Sequence, residues 1–386
     1  MNSKQVVLVG GGYAGILAAL RTRRKDPQLR VTLVAPSDTF VERIRLYELA
    51  STGRPVSHPI RRFLGDGVHF HQALAQRIDV RRAILETSTG PLHYDALIVA
   101  TGSHTRTNTV TGVKEFATAV EYGEVQRLSA RLGGHSEGKR ILVCGGGLTA
   151  IECATSLAAH RKHHVTLVAQ GLVGPDLSNQ GRRFVRETLR RLNVDLRENT
   201  PVQQLERGRV ALENEQLTFD ECIWACGMEG ASLAKDSGLP VNTLQQVLID
   251  ANLNPVAAHC GNVFAAGDAG SFTLGHGHSL SMGCKTALPL GAHAADNAVA
   301  FLRGKPVEPF SFRETLSCLS LGPSGLVQFL ERDGTPRPQT WHGWPASMLK
   351  RALNRFTLMA LWGEKRGIGY RWLTLPAQPS TTEIST

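Results

Sequence analysis

The chain has 386 residues, 42% of them hydrophobic, a formal net charge of +10 and seven cysteines. Its length is ample for two or three domains with substantial cores. An odd cysteine count without metal-ligand spacing argues against a disulfide-stapled secreted scaffold or a zinc or iron–sulfur protein and suits a cytoplasmic protein; the positive charge favours anionic lipid or nucleotide phosphate, while no recognised module or clustered basic tail points to nucleic acid.

Val6-Val7-Leu8-Val9 reads as a short buried parallel strand. It begins so near the N-terminus that no signal peptide is expected. Gly10-x-Gly12-x-x-Gly15 follows. Gly10 permits the tight turn, Gly12 lets backbone approach a pyrophosphate, and Gly15 allows close helix–strand packing. Residues 16–24 have helical character, with an N-terminus suited to phosphate. A second strand is predicted at Val31 to Val34.

The pattern then returns. VVLVGGGYAGILAAL at 6–20 is matched by ILVCGGGLTAIECAT at 141–155, which carries Gly145-x-Gly147-x-x-Ala150. VTLVAP at 31–36 is matched by VTLVAQ at 165–170, and YDALIVATG at 94–102 by FDECIWACG at 219–227. The repeat predicts an α/β fold with two Rossmann-like dinucleotide-binding units. Two nucleotides in one chain suggest electrons passing between two cofactors.

Both units lack the acid that often ends the second strand and binds the ribose hydroxyls. Ala35 and Ala169 stand there instead. At the second position an acid would repel the 2′-phosphate of NADPH, so its loss leans toward NADPH tolerance and leaves the choice from NADH open. Arg161, Arg182 and Arg183 are candidate phosphate partners, with ordinary solvated arginines as the alternative. No cysteine precedes Cys144, so an early flavin-side redox pair has no residues to build it. Cys222 and Cys226 share a strand-like run, where four steps separate them by about 13 Å. A disulfide needs Cα atoms within about 7 Å.

These segments resemble the two-dinucleotide-binding-domain flavoproteins of the pyridine nucleotide-disulfide oxidoreductase superfamily. Within it they are most similar to the type II NADH dehydrogenase and AIF-like quinone reductase branch. The resemblance covers roughly residues 4–330 and implies FAD in the first unit and NADH or NADPH in the second. It rests on the two glycine loops, Phe40 to Leu46, Ile98 to Gly102, Ile223 to Gly227 and Val263 to Asp268. It implies an FAD domain at 1–115 and 245–305, a nicotinamide domain at 116–244 inserted between them, and a C-terminal α+β region at 306–386 on the acceptor side.

Carried over residue by residue, FAD contacts fall on Gly10, Gly12, Tyr13, Ala14, Gly15, Arg43, Ala100, Thr101, Gly102, Gly267, Asp268, Lys285, Thr286 and Ala287. Nicotinamide-dinucleotide contacts fall on Gly145, Gly147, Leu148, Thr149, Ala150, Glu152, Cys226 and Gly227. Glu152 would sit near flavin N5 and the nicotinamide; the alternative is an early-turn glutamate favoured by the helix dipole. Arg43 or Arg45 would contact FAD or pair with Glu152; the alternative is a solvated charge. Lys285 would stabilise negative charge near flavin N1 and C2=O. In type II dehydrogenases the helix that holds it usually carries glutamines associated with quinone, where this chain has Lys285 and Pro289.

The implied chemistry is hydride transfer from NAD(P)H to flavin, then electron transfer to a quinone or similar small acceptor. A tailoring oxidoreductase of a specialised metabolite, or a flavin-binding redox sensor with little turnover, remain open readings. No run of about 20 apolar residues spans a bilayer. The apolar positions Met348, Leu349, Ala352, Leu353, Phe356, Met359 and Ala360 recur at helical spacing, with Lys350, Arg351, Asn354 and Arg355 on other faces. Such a helix could pack on the flavin domain, or contact the inner face of a membrane through residues 346–362. Residues 378–386 read as a loose polar tail.

Overall fold

Each glycine loop follows a strand whose residues are apolar on both faces, and each strand lies at the centre of a parallel sheet. The first sheet runs in the order Val263–Ala265, Ala96–Val99, Gln5–Val9, Arg30–Ala35, Val68–Gln72. The second runs Thr118–Ala119, Glu221–Trp224, Arg140–Cys144, His164–Val168, Asp195–Arg197. All neighbours in both are parallel. This is the computed structural model of the chain, and it describes residues 3–133, 138–160, 163–257, 259–274, 277 and 279–374. Arg161 and the tail 378–386 lie outside the described residues.

The repeat in sequence is a repeat in hydrogen bonding. The Gly10 N–H donates to Val34 C=O and the Gly145 N–H to Val168 C=O, both at 2.8 Å. The Ala100 N–H donates to Val9 C=O and the Ala225 N–H to Cys144 C=O, also at 2.8 Å. Each unit then leaves through a left-handed glycine, Gly102 (φ 71°) or Gly227 (φ 92°). The strands that follow, Ser103–Thr105 and Met228–Gly230, pair antiparallel and join the units as one ribbon.

Two helices close the first unit. Tyr13–Lys25 crosses Cys284–Leu302 so tightly that a Cβ on Gly291 would lie 2.5 Å from Ala14 C=O. The short helix Leu46–Thr52 faces the other way. It buries Leu46, Tyr47, Leu49 and Ala50 against Val125, Leu128 and Ile151 of the second unit. The C-terminal region is an antiparallel sheet, Leu316–Leu321, Ser324–Leu330 and Pro336–His342, followed by the helix Trp344–Lys365. Leu319, Leu321 and Leu326 enter the second unit's core, whereas Ala360 and Leu361 enter the first unit's core. The C-terminal region therefore clasps both units.

The last helix is inverted relative to an ordinary surface helix. Ser347, Asn354, Thr357 and Glu364 are buried and the Lys350 side chain is 11% exposed. Trp344 (71% exposed), Met348, Phe356 and Met359 (66%) point outward. The stripe containing Met348, Phe356 and Met359 thus does not pack on the flavin domain. The physical reason is charge: the buried Glu152 carboxylate faces Lys350 of this helix, the helix's own buried Glu364 pairs with Arg21 and Arg24 of Tyr13–Lys25, and a buried charge demands a partner.

Candidate functional site

The first glycine loop has the shape of a phosphate cradle. A Cβ on Gly10 (φ 120°) would lie 2.1 Å from Ala100 C=O, and one on Gly15 would lie 1.9 Å from Gly10 C=O. Both are closed against the protein. A Cβ on Gly12 would meet nothing within 4 Å, so this loop opens outward where a pyrophosphate would approach. Ala14, Gly267 and Ala287 converge beneath it: a Cβ on Gly267 would lie 3.0 Å from Ala14 Cβ and 3.5 Å from Ala287 Cβ. Asp268 accepts from the Ser103 hydroxyl (2.6 Å) and the Gly283 N–H (2.8 Å), holding the start of the helix Cys284–Leu302. Thr286 caps the same turn through Ser281 and Gly283 carbonyls. Tyr13 stacks edge-on against Phe40. These residues fit the FAD assignment: a cradle open at one glycine, closed at two others, and completed by residues far along the chain.

The second loop repeats the design. A Cβ on Gly145 would lie 2.5 Å from Ala225 C=O, whereas Gly147 opens to space. The helix Leu148–His160 starts at once, and Thr149 and Ala150 lie in its first turn. The missing acids acquire a packing explanation. A Cβ on Gly11 would meet Ala35 Cβ at 3.2 Å, and one on Gly146 would meet Ala169 Cβ at 3.4 Å. Each alanine is buried against the middle glycine of its loop. Arg182 donates to the Leu177 (3.0 Å) and Pro175 (3.4 Å) carbonyls, and Arg183 is exposed.

Cys222 is buried in its strand, but Cys226 lies in the turn beyond the strand's end at Trp224. All seven cysteines are free thiols. Among the described residues no His, Cys, Asp and Glu cluster could hold a metal.

The charged residues bring corrections. Arg43 does not pair with Glu152; its guanidinium binds Glu121 through two hydrogen bonds of 2.8 and 3.1 Å. Glu121 is doubly engaged, since it also accepts from the Thr105 N–H at 2.7 Å. Arg45 pairs with Glu42 (2.9 Å) and Glu48 (2.7 Å). Lys285 turns toward the C-terminal region, where it pairs with Glu314 and donates to the Ser317 hydroxyl at 2.9 Å. A carboxylate beside it offsets the charge that the sequence assigned to the flavin.

Glu152 is buried, not an early-turn surface charge. Its carboxylate accepts from the Ser320 N–H at 2.8 Å and pairs with Lys350 at 3.2 Å. Burial pushes the Glu152 carboxyl up, opposed by the Lys350 charge and the Ser320 N–H. Burial works against the Lys350 ammonium, but Glu152 and the surrounding Cys318, Tyr47 and Cys284 outweigh it and hold it above its ordinary value. Lys350 also donates to Cys318 C=O at 3.2 Å. Burial pushes the Cys284 thiol up to about 11. The sequence places Lys350 with Arg351, Asn354 and Arg355 on the faces away from the apolar stripe and assigns it no partner. The readable signal was a second stripe, Ser347, Lys350, Asn354 and Thr357, at steps of three and four.

Comparison with known proteins agrees with this architecture. Residues 4–294 match the family described as pyridine nucleotide-disulphide oxidoreductase. A NADH dehydrogenase-like protein of Mycobacterium tuberculosis is 28% identical over 379 residues, covering 91% of this chain and 93% of that protein. A type II NADH:quinone oxidoreductase of Staphylococcus aureus is 27% identical over 362 residues, covering 83% and 88%. In structure, NDH2 from Plasmodium falciparum superposes with a TM-score of 0.80 at 16% identity, covering 95% of this chain and 97% of that one. The sulfide:quinone oxidoreductase of Aquifex aeolicus superposes at 0.78 with 18% identity, covering 95% and 92%. The chain belongs to the pyridine nucleotide-disulphide oxidoreductase family, as an FAD- and NAD(P)H-dependent oxidoreductase related to the type II NADH:quinone oxidoreductases.

Proposed function

We propose that this protein passes electrons from NAD(P)H, through FAD, to a quinone or similar small acceptor at a membrane surface. The observation that carries this reading is the inverted C-terminal helix. It turns Lys350 inward onto Glu152 and presents Trp344, Met348, Phe356 and Met359 outward. Arg351 and Arg355 flank the outward stripe, as suits an anionic lipid surface. No helix among the described residues is long and apolar enough to cross a membrane, so contact would be peripheral.

In this reading Gly10, Gly12, Tyr13, Ala14 and Gly15 cradle FAD, with Ala100, Thr101, Gly102, Gly267, Asp268, Thr286 and Ala287 completing its site. Gly145, Gly147, Leu148, Thr149, Ala150, Cys226 and Gly227 receive the nicotinamide dinucleotide, NADPH as well as NADH. FAD supplies the hydride-accepting and electron-passing chemistry when bound. Glu152 and Lys350 form a buried carboxylate–ammonium pair, and the Lys350 charge would stabilise negative charge gained by the acceptor's oxygens. Lys285, offset by Glu314, and Arg43, held by Glu121, shape the rim. Steady-state NAD(P)H oxidation with a panel of quinones of increasing tail length tests this: turnover should rise on adding anionic vesicles. No turnover with any quinone in the panel, with or without vesicles, would refute it.

A further inference from the structure

The ribbon that joins the two units is regular, but its ends differ. Ser103 pairs with Gly230 and Thr105 with Met228. One step beyond each end, the same register sets Gly102 across from Ala231 and Gly227 across from Arg106. The glycine turn of the first unit is thus matched with an alanine, and that of the second with an arginine. The Arg106 N–H donates to Gly227 C=O at 3.1 Å, and Arg106 C=O accepts from Trp224 Nε1 at 2.9 Å. Both bonds belong to the Arg106 backbone, so they fix its place without its side chain.

That side chain is unengaged. Among the described residues no hydrogen bond or ion pair holds the Arg106 guanidinium, and its Nε is buried without an acceptor. A buried donor left unpaired costs stability. Other arginines around the two units are matched: Arg43 takes Glu121, and Arg45 takes Glu42 and Glu48. A Cβ on Gly227 would lie 3.7 Å from Arg106 Nη2, so the guanidinium stands beside this turn. Burial and Cys144 push the adjacent Cys226 thiol up, and the Arg106 charge opposes them.

The same turn abuts the second glycine loop, where a Cβ on Gly145 would lie 2.5 Å from Ala225 C=O. Glu221–Trp224, Arg140–Cys144 and His164–Val168 are neighbours in that order. In such a sheet the adenosine ribose is read beyond the third of these strands, at Ala169, and the pyrophosphate at the loop after the second. The nicotinamide half then extends toward the first, where Cys226, Gly227 and Arg106 stand. A guanidinium can hold a phosphate through two parallel N–H···O bonds.

We propose that Arg106 anchors the nicotinamide dinucleotide by binding its pyrophosphate at the phosphate of the nicotinamide half. This rests on the assignment of the second glycine loop to that dinucleotide and is independent of the electron acceptor. Arg106 is left without a partner in the protein because the exchanging ligand supplies one.

The test measures binding to the FAD-loaded protein by isothermal titration calorimetry. ADP-ribose keeps both phosphates, AMP keeps only the adenosine-side phosphate, and neither reduces the flavin. Arg106→Met should weaken ADP-ribose by about tenfold, the scale of one charge-assisted hydrogen bond, and AMP by less than about twofold. The KM for NADH should rise with the ADP-ribose dissociation constant. Wild-type affinity for ADP-ribose should fall more steeply with salt than that of the variant. The unliganded variant should melt no lower than wild type, since an orphaned donor is removed. Arg106→Lys, which keeps the charge but not the fork, should recover part of the affinity. Equal weakening of ADP-ribose and AMP, or no weakening of either, would overturn the proposal. A lower melting temperature without ligand would also overturn it, since that marks a structural arginine. If Gly147→Ala leaves ADP-ribose affinity at the wild-type value, the loop assignment fails, while the ADP-ribose to AMP comparison still decides the role of Arg106.

Discussion

Replacing Lys350 with methionine leaves Glu152 charged, buried and without its counter-ion. At 3.2 Å the pair attracts by about 5 kcal/mol for an effective dielectric of about 20. Removing one partner of such a pair typically costs about 3–5 kcal/mol, because the stranded charge keeps its desolvation penalty. Loss of the Lys350 bond to Cys318 C=O adds about 1 kcal/mol. The sign with pH follows from Glu152. Its carboxyl is raised in the folded protein and will be raised further without Lys350. Between the ordinary carboxylate pKa and that raised value the folded state binds more protons than the unfolded one, so stability falls as pH rises. The deficit of Lys350→Met should therefore be larger at neutral pH and shrink as the pH drops toward the ordinary carboxylate range. Urea unfolding of the FAD-loaded protein, followed by tryptophan and flavin fluorescence, measures it. The double variant Lys350→Met with Glu152→Gln should recover much of the loss, and the mutant cycle gives the coupling. A neutral-pH loss below about 1 kcal/mol, or one independent of pH, would refute the reasoning.

The two kinds of glycine should fail differently. Gly10→Ala drives a Cβ to 2.1 Å from Ala100 C=O at a left-handed φ, so it should cost several kcal/mol and yield little folded protein. The Cβ of Gly12→Ala meets nothing in the protein within 4 Å, so this variant should fold with a near-native circular dichroism spectrum but emerge with less yellow colour. The alanine at 169 predicts that NADPH supports turnover within about tenfold of NADH, since one missing charge repulsion in water is about 1 kcal/mol and about 1.4 kcal/mol is tenfold; a far larger NADH preference in kcat/KM would count against it. Trp344→Ser with Met359→Ser should reduce cosedimentation with anionic vesicles and leave ferricyanide turnover intact, whereas unchanged cosedimentation would remove this face from the membrane contact.

What the sequence displays is the part of the fold built from contiguous segments. The strands at Val6 and Ile141 and the glycine loops return in the structure, down to paired 2.8 Å hydrogen bonds, while Ala35 ends its strand and Ala169 follows the strand end at Val168. These features depend on residues a few positions apart, so their pattern is local. The family resemblance likewise brought Gly267 and Ala287 to Ala14. What stayed hidden were partners supplied by tertiary packing. Arg43 finds Glu121, Lys285 finds Glu314, and Glu152 finds Lys350. Charge type alone cannot choose among such partners. The last helix was misleading for a related reason: its apolar stripe is real, but the buried carboxylate of Glu152 draws the polar stripe inward.

The most direct test of electron passage to a quinone is a single turnover without oxygen. The yellow protein is bleached with one equivalent of NAD(P)H and then mixed in a stopped-flow instrument with menadione and longer-tailed quinones. The account predicts rapid return of the flavin colour, with one solvent proton consumed per quinone reduced over the whole cycle. Prompt bleaching followed by no reoxidation with any quinone would contradict it.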